Sequence, residues 1–126
     1  MKKTASLILL MGMGLLGFSQ YIPVDIHFYG GSSFEDINCL YPLENGDLIF
    51  AGGTRSSDGD LEINNGNEDC WFVHLDSDLN IVKSVSFGES EYESIRDVIA
   101  LSDTSFLFLI SSNSNTGMFS NSNGST

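Results

Sequence analysis

The side chains of this sequence that could do chemistry gather in one acidic loop. The loop lies inside the stretch 52–76, between the apolar segments Leu48–Ala51 and Cys70–Leu75. Six of its side chains carry hard oxygen atoms: Asp58, Asp60, Glu62, Asn64, Glu68 and Asp69. Oxygen ligands of this kind, held in a short segment that contains glycine, are what Ca²⁺ requires. A structural calcium site in this loop is therefore one hypothesis.

The alternative hypothesis is that the same side chains cap turns of the loop. Asp and Asn oxygens readily accept hydrogen bonds from nearby backbone N–H groups, and the spacing lacks the Gly at position 6 and the final Glu of an EF-hand. A weaker copy of the loop near the C-terminus keeps Gly117 and Gly124 at the positions of Gly59 and Gly66 but loses most of the carboxylates. This pattern favours capping, with Gly30, Gly59 and Gly66 as structural residues.

The other reactive residue types predict no catalytic site. Ser56 and Ser57 have neither a neighbouring His nor a Gly-x-Ser-x-Gly context. His27 and His74 are too far apart in sequence for zinc-ligand spacing. Trp71 is interpreted as a packing anchor between neighbouring repeats. We therefore predict a chain that is not an enzyme, with no catalytic residue and no cofactor.

Cys39 and Cys70 are the only two cysteines. An exported protein can hold such a pair as a disulfide. Their sequence positions alone do not decide between a bridge and two free thiols, and both states stay open at this point.

The N-terminus has the pattern of a secretory signal peptide. Lys2 and Lys3 form a positive region, Leu7–Leu16 forms an apolar region, and small residues precede a cleavage point near Ser19 or Gln20. The apolar run is too short to cross about 30 Å of hydrocarbon. We therefore predict that residues 1–19 are removed and that the chain is exported, to the cell surface, the extracellular space or the periplasm.

The mature chain is strongly acidic. It has seventeen Asp and Glu residues but only three basic residues, Arg55, Lys83 and Arg96. Nucleic acids and anionic membranes are excluded as partners, because the electrostatic term would be repulsive. An extracellular protein or a glycan is the expected kind of partner.

An internal repeat organises the mature chain. A shift of 58 residues superposes residues 29–68 on residues 87–126, and ten of the forty positions are identical. The identical pairs include Glu35 with Glu93, Ile37 with Ile95, Phe50 with Phe108, and Ser56 with Ser114. A period of this length is typical of propellers and repeat arrays.

Each repeat is predicted to hold four short strands, at about 36–43, 48–54, 69–76 and 80–87, and the second copy stops after its second strand. Asn45-Gly46 predicts a tight hairpin between the first two strands. The segment Glu91–Ser102 also has helical spacing, but its partner segment carries Pro42, which a helix interior does not tolerate. The predicted fold is therefore all-β, with antiparallel four-stranded blade-like repeats of the β-propeller type.

The predicted organisation has four parts. These are a signal peptide at 1–19, the leading strand of a preceding blade at 20–28, repeat 1 at 29–86, and a truncated repeat 2 at 87–126. Propellers typically close with at least four blades. We therefore expect a piece of a longer protein, whose apolar faces stack against missing blades or other copies.

A series of short motifs follows a recognisable order: Gly30-Gly31-Ser32 with Asp36, Asn45-Gly46, Gly53-Thr54-Arg55-Ser56, Asp58-Gly59-Asp60, Gly66, Asp69 with Trp71, and Leu75-Asp76. This order resembles the repeat of exported bacterial β-propeller-type proteins common in Bacteroidetes, many of which end in a type IX secretion sorting domain. Repeat 2 departs from the pattern at Glu89, Ser94 and Asn115–Met118. The resemblance implies an exported scaffold or a binding or adhesion module. The alternatives are the N-terminal part of a secreted carbohydrate-active propeller enzyme and a structural calcium-binding repeat.

Overall fold

A computed structural model describes residues 26–102 and 104–120, which form two antiparallel sheets. Sheet 1 contains β1 (Glu35–Pro42), β2 (Leu48–Thr54), β3 (Asp69–Leu75) and β4 (Ile81–Phe87), hydrogen-bonded in sequence order. Sheet 2 contains β5 (Glu93–Ser102) and β6 (Ser105–Ser112). A single 3-10 turn (Gly117–Phe119) follows β6.

The predicted all-β class and the predicted strands are confirmed. Each strand of the first repeat begins and ends within one residue of its predicted position. β5 and β6 occupy the first two strand positions of the second repeat. In the ambiguous segment Glu91–Ser102, the residues from Glu93 onward form the strand β5 and not a helix. This is the outcome expected if the two copies share one structure.

The Asn45-Gly46 hairpin is also confirmed. Gly46 has a φ of 93°, which favours glycine, and its N–H donates to the carbonyl of Leu43 at 3.1 Å. The Leu43 N–H donates to the carbonyl of Asp47 at 2.9 Å, and the Asp47 N–H donates to the Asn45 side chain at 3.1 Å. These bonds hold β1 and β2 in register.

The predicted leading strand at 20–28 is not seen as a strand where the structure describes it, since residues 26–30 carry no regular secondary structure. The earlier part of that segment and the predicted signal peptide at 1–19 lie outside the described residues. Within residues 26–102 and 104–120, no helix has the length and hydropathy that would be needed to cross a membrane.

Sheet 2 covers one face of sheet 1. We call the buried side chains between the sheets the inter-sheet cluster; its members are Leu43, Ile49, Ala51, Cys70, Phe72, Ile95 and Val98. The ring of Phe72 lies 5.0 Å from that of Phe106 and 5.2 Å from that of Phe108, between ring centroids. One apolar face of β2 and β3 thus packs against β5 and β6.

On the other face of sheet 1, the β2–β3 loop covers the two central strands. The loop-side cluster consists of Phe50, Leu61, Trp71, Val73 and Leu75, with Tyr29, Leu48 and Leu79 packed against it. Leu61 comes from the β2–β3 loop, and Tyr29 precedes β1. Tyr29 also donates its hydroxyl to the carbonyl of Leu79 at 2.7 Å. The strands β2 and β3 are therefore buried on both faces.

Stacking of the sheets makes a prediction about Ile95. Ile95 is fully buried against sheet 1, so Ile95→Ala should lower the free energy of unfolding by about 2–5 kcal/mol. The matched control is Leu109→Ala, which truncates an exposed side chain of sheet 2 and should change the free energy by less than about 0.5 kcal/mol. Urea unfolding measures both. Equal effects would contradict the stacking of sheet 2 on sheet 1.

Candidate functional site

The first two acids of the loop tie it to the chain that precedes β1. The Oδ1 atom of Asp58 accepts a hydrogen bond from the Ser32 N–H at 2.8 Å. The Oδ2 atom of Asp60 accepts one from the Gly30 N–H at 2.9 Å. Both carboxylates therefore cap the segment 30–32, although they come from the β2–β3 loop.

The remaining oxygen side chains have separate partners. Asn64 accepts from the Gly66 N–H at 2.9 Å, and Asp69 accepts from the Asn65 N–H at 2.9 Å. Glu68 pairs with Arg55 at 3.0 Å, from Oε2 to Nε. Glu62 is exposed.

These contacts follow the pattern that the capping hypothesis predicts. Among the described residues, no group of three or more His, Cys, Asp or Glu side chains is arranged to hold a metal ion. Calcium binding stays an untested hypothesis, which a measurement in solution would decide.

Gly59 and Gly66, predicted as structural residues, lie where the chain comes closest to other backbone. Gly59 has a φ of 72°, in the region that favours glycine, and a Cβ there would meet the carbonyl of Gly30. A Cβ on Gly66 would meet the carbonyl of Glu89, at the start of the second repeat. Gly66 therefore lets the loop of repeat 1 contact repeat 2 directly.

A carboxylate at the start of the first strand recurs in each repeat, as Glu35 and Glu93, and sequence reasoning assigned it no role. In repeat 2, Glu93 is fully buried. Its Oε1 atom accepts from the hydroxyls of Ser112 at 3.1 Å and Ser114 at 2.6 Å, and its Oε2 atom accepts from the Glu89 N–H at 2.8 Å. These three donors satisfy a charge that would otherwise be costly to bury.

Two of these three bonds have equivalents 58 residues earlier, around Glu35, which is only partly buried. Glu35 accepts from the Thr54 hydroxyl at 3.1 Å and from the Gly31 N–H at 3.4 Å. The Ser56 N–H donates to the Thr54 hydroxyl at 3.0 Å, as the Ser114 N–H donates to the Ser112 hydroxyl at 3.0 Å. The identical pairs Glu35/Glu93 and Ser56/Ser114 were the sequence signal for this network. The pairing of Ser56 with a backbone amide, from Ser33 at 2.8 Å, gives this serine a structural role.

Asp69 of repeat 1 lies beside Glu93 of repeat 2. A Cβ on Gly88 would be 2.7 Å from Asp69 Oδ1 and 2.9 Å from Glu93 Oε2, so both oxygens border the same point. Asp69 is fully buried, and its Oδ1 atom has no hydrogen-bond partner. Burial, and to a lesser extent the charges of Glu93 and Glu89, raise the pKa of the Asp69 carboxyl above its ordinary value of 3.8.

The two cysteines are free thiols. Cys39 lies on β1 and Cys70 on β3, with β2 between them. Because neighbouring strands are about 4.8 Å apart, the two Cα atoms are separated by about 10 Å, beyond the reach of a disulfide. Burial, with smaller contributions from Glu93 and Asp69, raises the pKa of the Cys70 thiol to about 12, which makes it unreactive.

Trp71 and His74 occupy structural positions on β3. Trp71 is buried, its ring meets the edge of Phe50 at 5.2 Å, and its Nε1–H donates to the Ser84 hydroxyl at 3.0 Å. It packs in the loop-side cluster, within repeat 1. His74 is partly exposed, and its Nε2 atom lies 2.8 Å from Oδ2 of Asp47.

Comparison of the chain with models of protein families, with curated proteins and with solved structures found no match.

The carboxylate pair at the repeat junction makes two opposite predictions. Asp69→Asn replaces the unpartnered oxygen by an amide that can donate to Glu93, so it should raise the free energy of unfolding at pH 7 by about 1–3 kcal/mol. Glu93→Gln places an amide nitrogen against N–H or O–H donors, so this variant should have a free energy of unfolding about 1–3 kcal/mol lower. Urea unfolding measures both variants. Destabilisation by Asp69→Asn would contradict the unpartnered charge.

The raised pKa of Asp69 predicts that the free energy of unfolding depends on pH. The folded chain holds the Asp69 proton more tightly than the unfolded chain does, so this group favours folding most below its ordinary pKa. Stability from this group is lost as the pH rises from 3.8 through the raised folded value. Asp69→Asn should remove this loss, whereas an unchanged pH profile would assign it to other groups.

The capping role of Asp60 makes a separate prediction. Asp60→Ala removes the acceptor of the Gly30 N–H and should lower the free energy of unfolding by about 1–3 kcal/mol, equally in Ca²⁺ and in EDTA. Glu62→Ala, in the exposed part of the same loop, is the control and should change it by less than about 0.5 kcal/mol. A loss seen only in Ca²⁺ would instead support a calcium site.

Proposed function

We propose that this chain is an exported repeat scaffold of the β-propeller type, which acts as a binding or adhesion module and not as a catalyst. The export part rests on the N-terminal sequence pattern. The scaffold part rests on one observation, the directional stacking of sheet 2 on sheet 1.

The stacking is directional. The residues of sheet 2 that form the interface have their equivalents on the far face of sheet 1, away from the interface. Sheet 2 packs on sheet 1 through Ile95, Val98 and Phe108. Phe50, the equivalent of Phe108, belongs to the loop-side cluster on the opposite face of sheet 1. Its cross-strand neighbour Leu40, the equivalent of Val98, is half exposed on that face. The face of sheet 2 that contacts sheet 1 is therefore equivalent to the face of sheet 1 that points away from sheet 2.

The exposed face of sheet 2 continues the same relation. Leu107 and Leu109 are more than half exposed, and their equivalents in repeat 1 are Ile49 and Ala51, which sheet 2 buries completely. A third sheet of the same kind would cover Leu107 and Leu109 in the same way. In propellers, successive sheets that stack in this way close into a ring, typically of four to eight blades.

The buried carboxylate of Glu93 at the repeat junction favours a scaffold over a loose array. Each added repeat brings a Glu that must be satisfied inside the junction, by hydroxyls and amides from its own strand pair. Two hydrogen bonds that cross the junction favour one geometry between neighbouring repeats: the Glu93 N–H donates to the Glu68 carbonyl at 2.7 Å, and the Asn38 amide donates to the Ile95 carbonyl at 2.8 Å. Partners would meet the loops and the acidic outer surface, and an extracellular protein or a glycan is the proposed class.

A tandem chain tests the proposal. Four to eight consecutive copies of residues 29–86 should fold as a β-rich monomer, because each copy supplies the cover that its neighbour lacks. The free energy of unfolding should rise with copy number, and the hydrodynamic radius should be that of a compact particle. The measurements are circular dichroism, urea unfolding and analytical ultracentrifugation. The control carries Glu35→Gln in every copy and should lose stability in proportion to the number of junctions. Tandem chains no more stable than a single copy would contradict the proposal.

A further inference from the structure

Two carboxyl groups from different repeats lie side by side where β3 and β5 begin. Asp69 is the first residue of β3 in repeat 1, and Glu93 is the first residue of β5 in repeat 2. A parallel bridge between Glu68 and Tyr92 joins the two strands there, and the Glu93 N–H donates to the Glu68 carbonyl at 2.7 Å. The backbone thus fixes both side chains at one place in the repeat junction.

This pair of carboxyl groups lacks one hydrogen-bond donor. The Glu93 Oε2 atom accepts from the Glu89 N–H at 2.8 Å, and the Asp69 Oδ2 atom accepts from the Asn65 N–H at 2.9 Å. Asp69 Oδ1 has no donor, although the side chain is fully buried. This atom and Glu93 Oε2 lie 2.7 and 2.9 Å from the same point, the position of a Cβ on Gly88. A proton on Asp69 would supply the missing donor and remove one of two buried charges.

We propose that a proton holds the repeat junction closed. The proton resides on Oδ1 of Asp69 and is donated to Oε2 of Glu93, and its loss opens the junction while sheet 1 stays folded. An ionised Asp69 beside Glu93 puts two negative charges in one buried place, and separation of the repeats returns both charges to water. This control of the contact between repeats goes beyond the scaffold and binding role proposed above.

The second carboxyl group comes to this place only through stacking of the repeats. At the equivalent point of repeat 1, a Cβ on Gly30 would lie 2.7 Å from Oε2 of Glu35, and its three nearest atoms all belong to Glu35. Glu35 is partly exposed, whereas Glu93 is fully buried. The pairing of two carboxyl groups is therefore a property of the junction and not of a single repeat.

The charges around Asp69 give the direction of the response. Charged or titratable side chains flank Asp69 along the chain and on the facing start of repeat 2: Arg55, Glu68, Cys70, Glu89, Glu93 and Arg96. Burial raises the pKa of Asp69 most, and the charges of Glu93 and Glu89 raise it further. The Cys70 thiol is neutral, since its pKa is raised to about 12. Of the two basic residues, one is paired with Glu68 and the other is exposed.

The sign of the effect follows from the raised pKa of Asp69. Closing of the junction takes up a proton in the pH range between the ordinary value of 3.8 and the raised folded value. Stabilisation of the junction by this group is complete below 3.8 and is lost as the pH rises through the folded value. The junction should therefore be tightest in acid.

A proton fits this place better than a metal ion does. Ca²⁺ takes about six to eight oxygen ligands, whereas the point beside Gly88 is bordered by one oxygen of Asp69 and one of Glu93. The Glu93 oxygen already accepts from the Glu89 N–H. Because Asp69 Oδ1 is buried away from solvent, water has no access to complete a coordination shell.

Hydrogen exchange in the full chain tests the proposal. The reporter is the Glu93 N–H, which bonds across the junction, and the reference is the Phe72 N–H in β3, between β2 and β4. From pH 3.8 to about pH 7, the protection factor of the Glu93 amide should fall at least 10-fold relative to that of Phe72. No fall, or an equal fall at both amides, would overturn the proposal.

Two variants assign the effect to Asp69. Asp69→Asn carries a permanent donor in place of the proton, so the relative protection of the Glu93 amide should change less than about 2-fold over the same pH range. The matched control is Glu89→Gln, which removes a neighbouring charge but keeps an acceptor for the Met118 N–H, and it should retain the fall. Circular dichroism first compares each variant with the parent chain. A full fall in Asp69→Asn, or its loss in Glu89→Gln, would overturn the assignment.

Carboxyl-carbon NMR of the full chain with labelled aspartate measures the proton directly. The Asp69 carboxyl should titrate above 3.8, and Glu93→Gln should lower its midpoint, because an amide donor then replaces the neighbouring charge. An unchanged midpoint would overturn the role of Glu93. Recovery of the Glu93 amide protection at neutral pH on addition of Ca²⁺ would assign the place to a cation and would overturn the proposal.

Discussion

A sheet that is apolar on both faces must be covered on both faces, and the rest of this structure follows from that constraint. β2 and β3 bury nearly every side chain. Sheet 2 covers one face through the inter-sheet cluster, and the β2–β3 loop covers the other through Leu61. Two acids of that loop therefore have a structural role, because Asp58 and Asp60 hold the loop against the segment 30–32. What resembles a ligand-rich loop in the sequence is thus part of the packing of the sheet.

The junction between repeats adds a second constraint, the burial of charge. Glu93 enters the junction with three donors, whereas Asp69 beside it leaves one oxygen unpartnered. The close contact of Gly66 with the backbone of Glu89 brings the loop of one repeat against the start of the next. Apolar stacking alone would tolerate sliding of one sheet over the other. Hydrogen bonds that cross the junction do not, because a small shift would break them: the Glu93 N–H donates to the Glu68 carbonyl at 2.7 Å, and the Asn38 amide donates to the Ile95 carbonyl at 2.8 Å.

Local patterns in the sequence were sufficient for the strands and the repeat, but not for the contacts between repeats. Short apolar stretches bounded by turn residues located β1 to β4. Pro42 excluded a helix over Glu91–Ser102, because the two copies of the repeat should share one structure. The role of Glu35 and Glu93 was missed, since a single Glu at a strand entrance reads equally well as a solvated residue. The state of Cys39 and Cys70 also needed the sheet order, which places β2 between them. Burial of Asp69 could not be inferred either, because it depends on the stacking of two sheets.

The stacking of sheet 2 on sheet 1 underlies the core and the repeat junction, and nuclear Overhauser effects between aromatic rings test it most directly. With selectively labelled phenylalanines, the ring of Phe72 should show effects to the rings of Phe106 and Phe108, whose centroids lie 5.0 and 5.2 Å away. The ring of Phe50, on the opposite face, should show an effect to Trp71 and none to Phe108. Effects from Phe72 to neither ring, in a chain that retains the Phe50–Trp71 contact, would contradict the stacking.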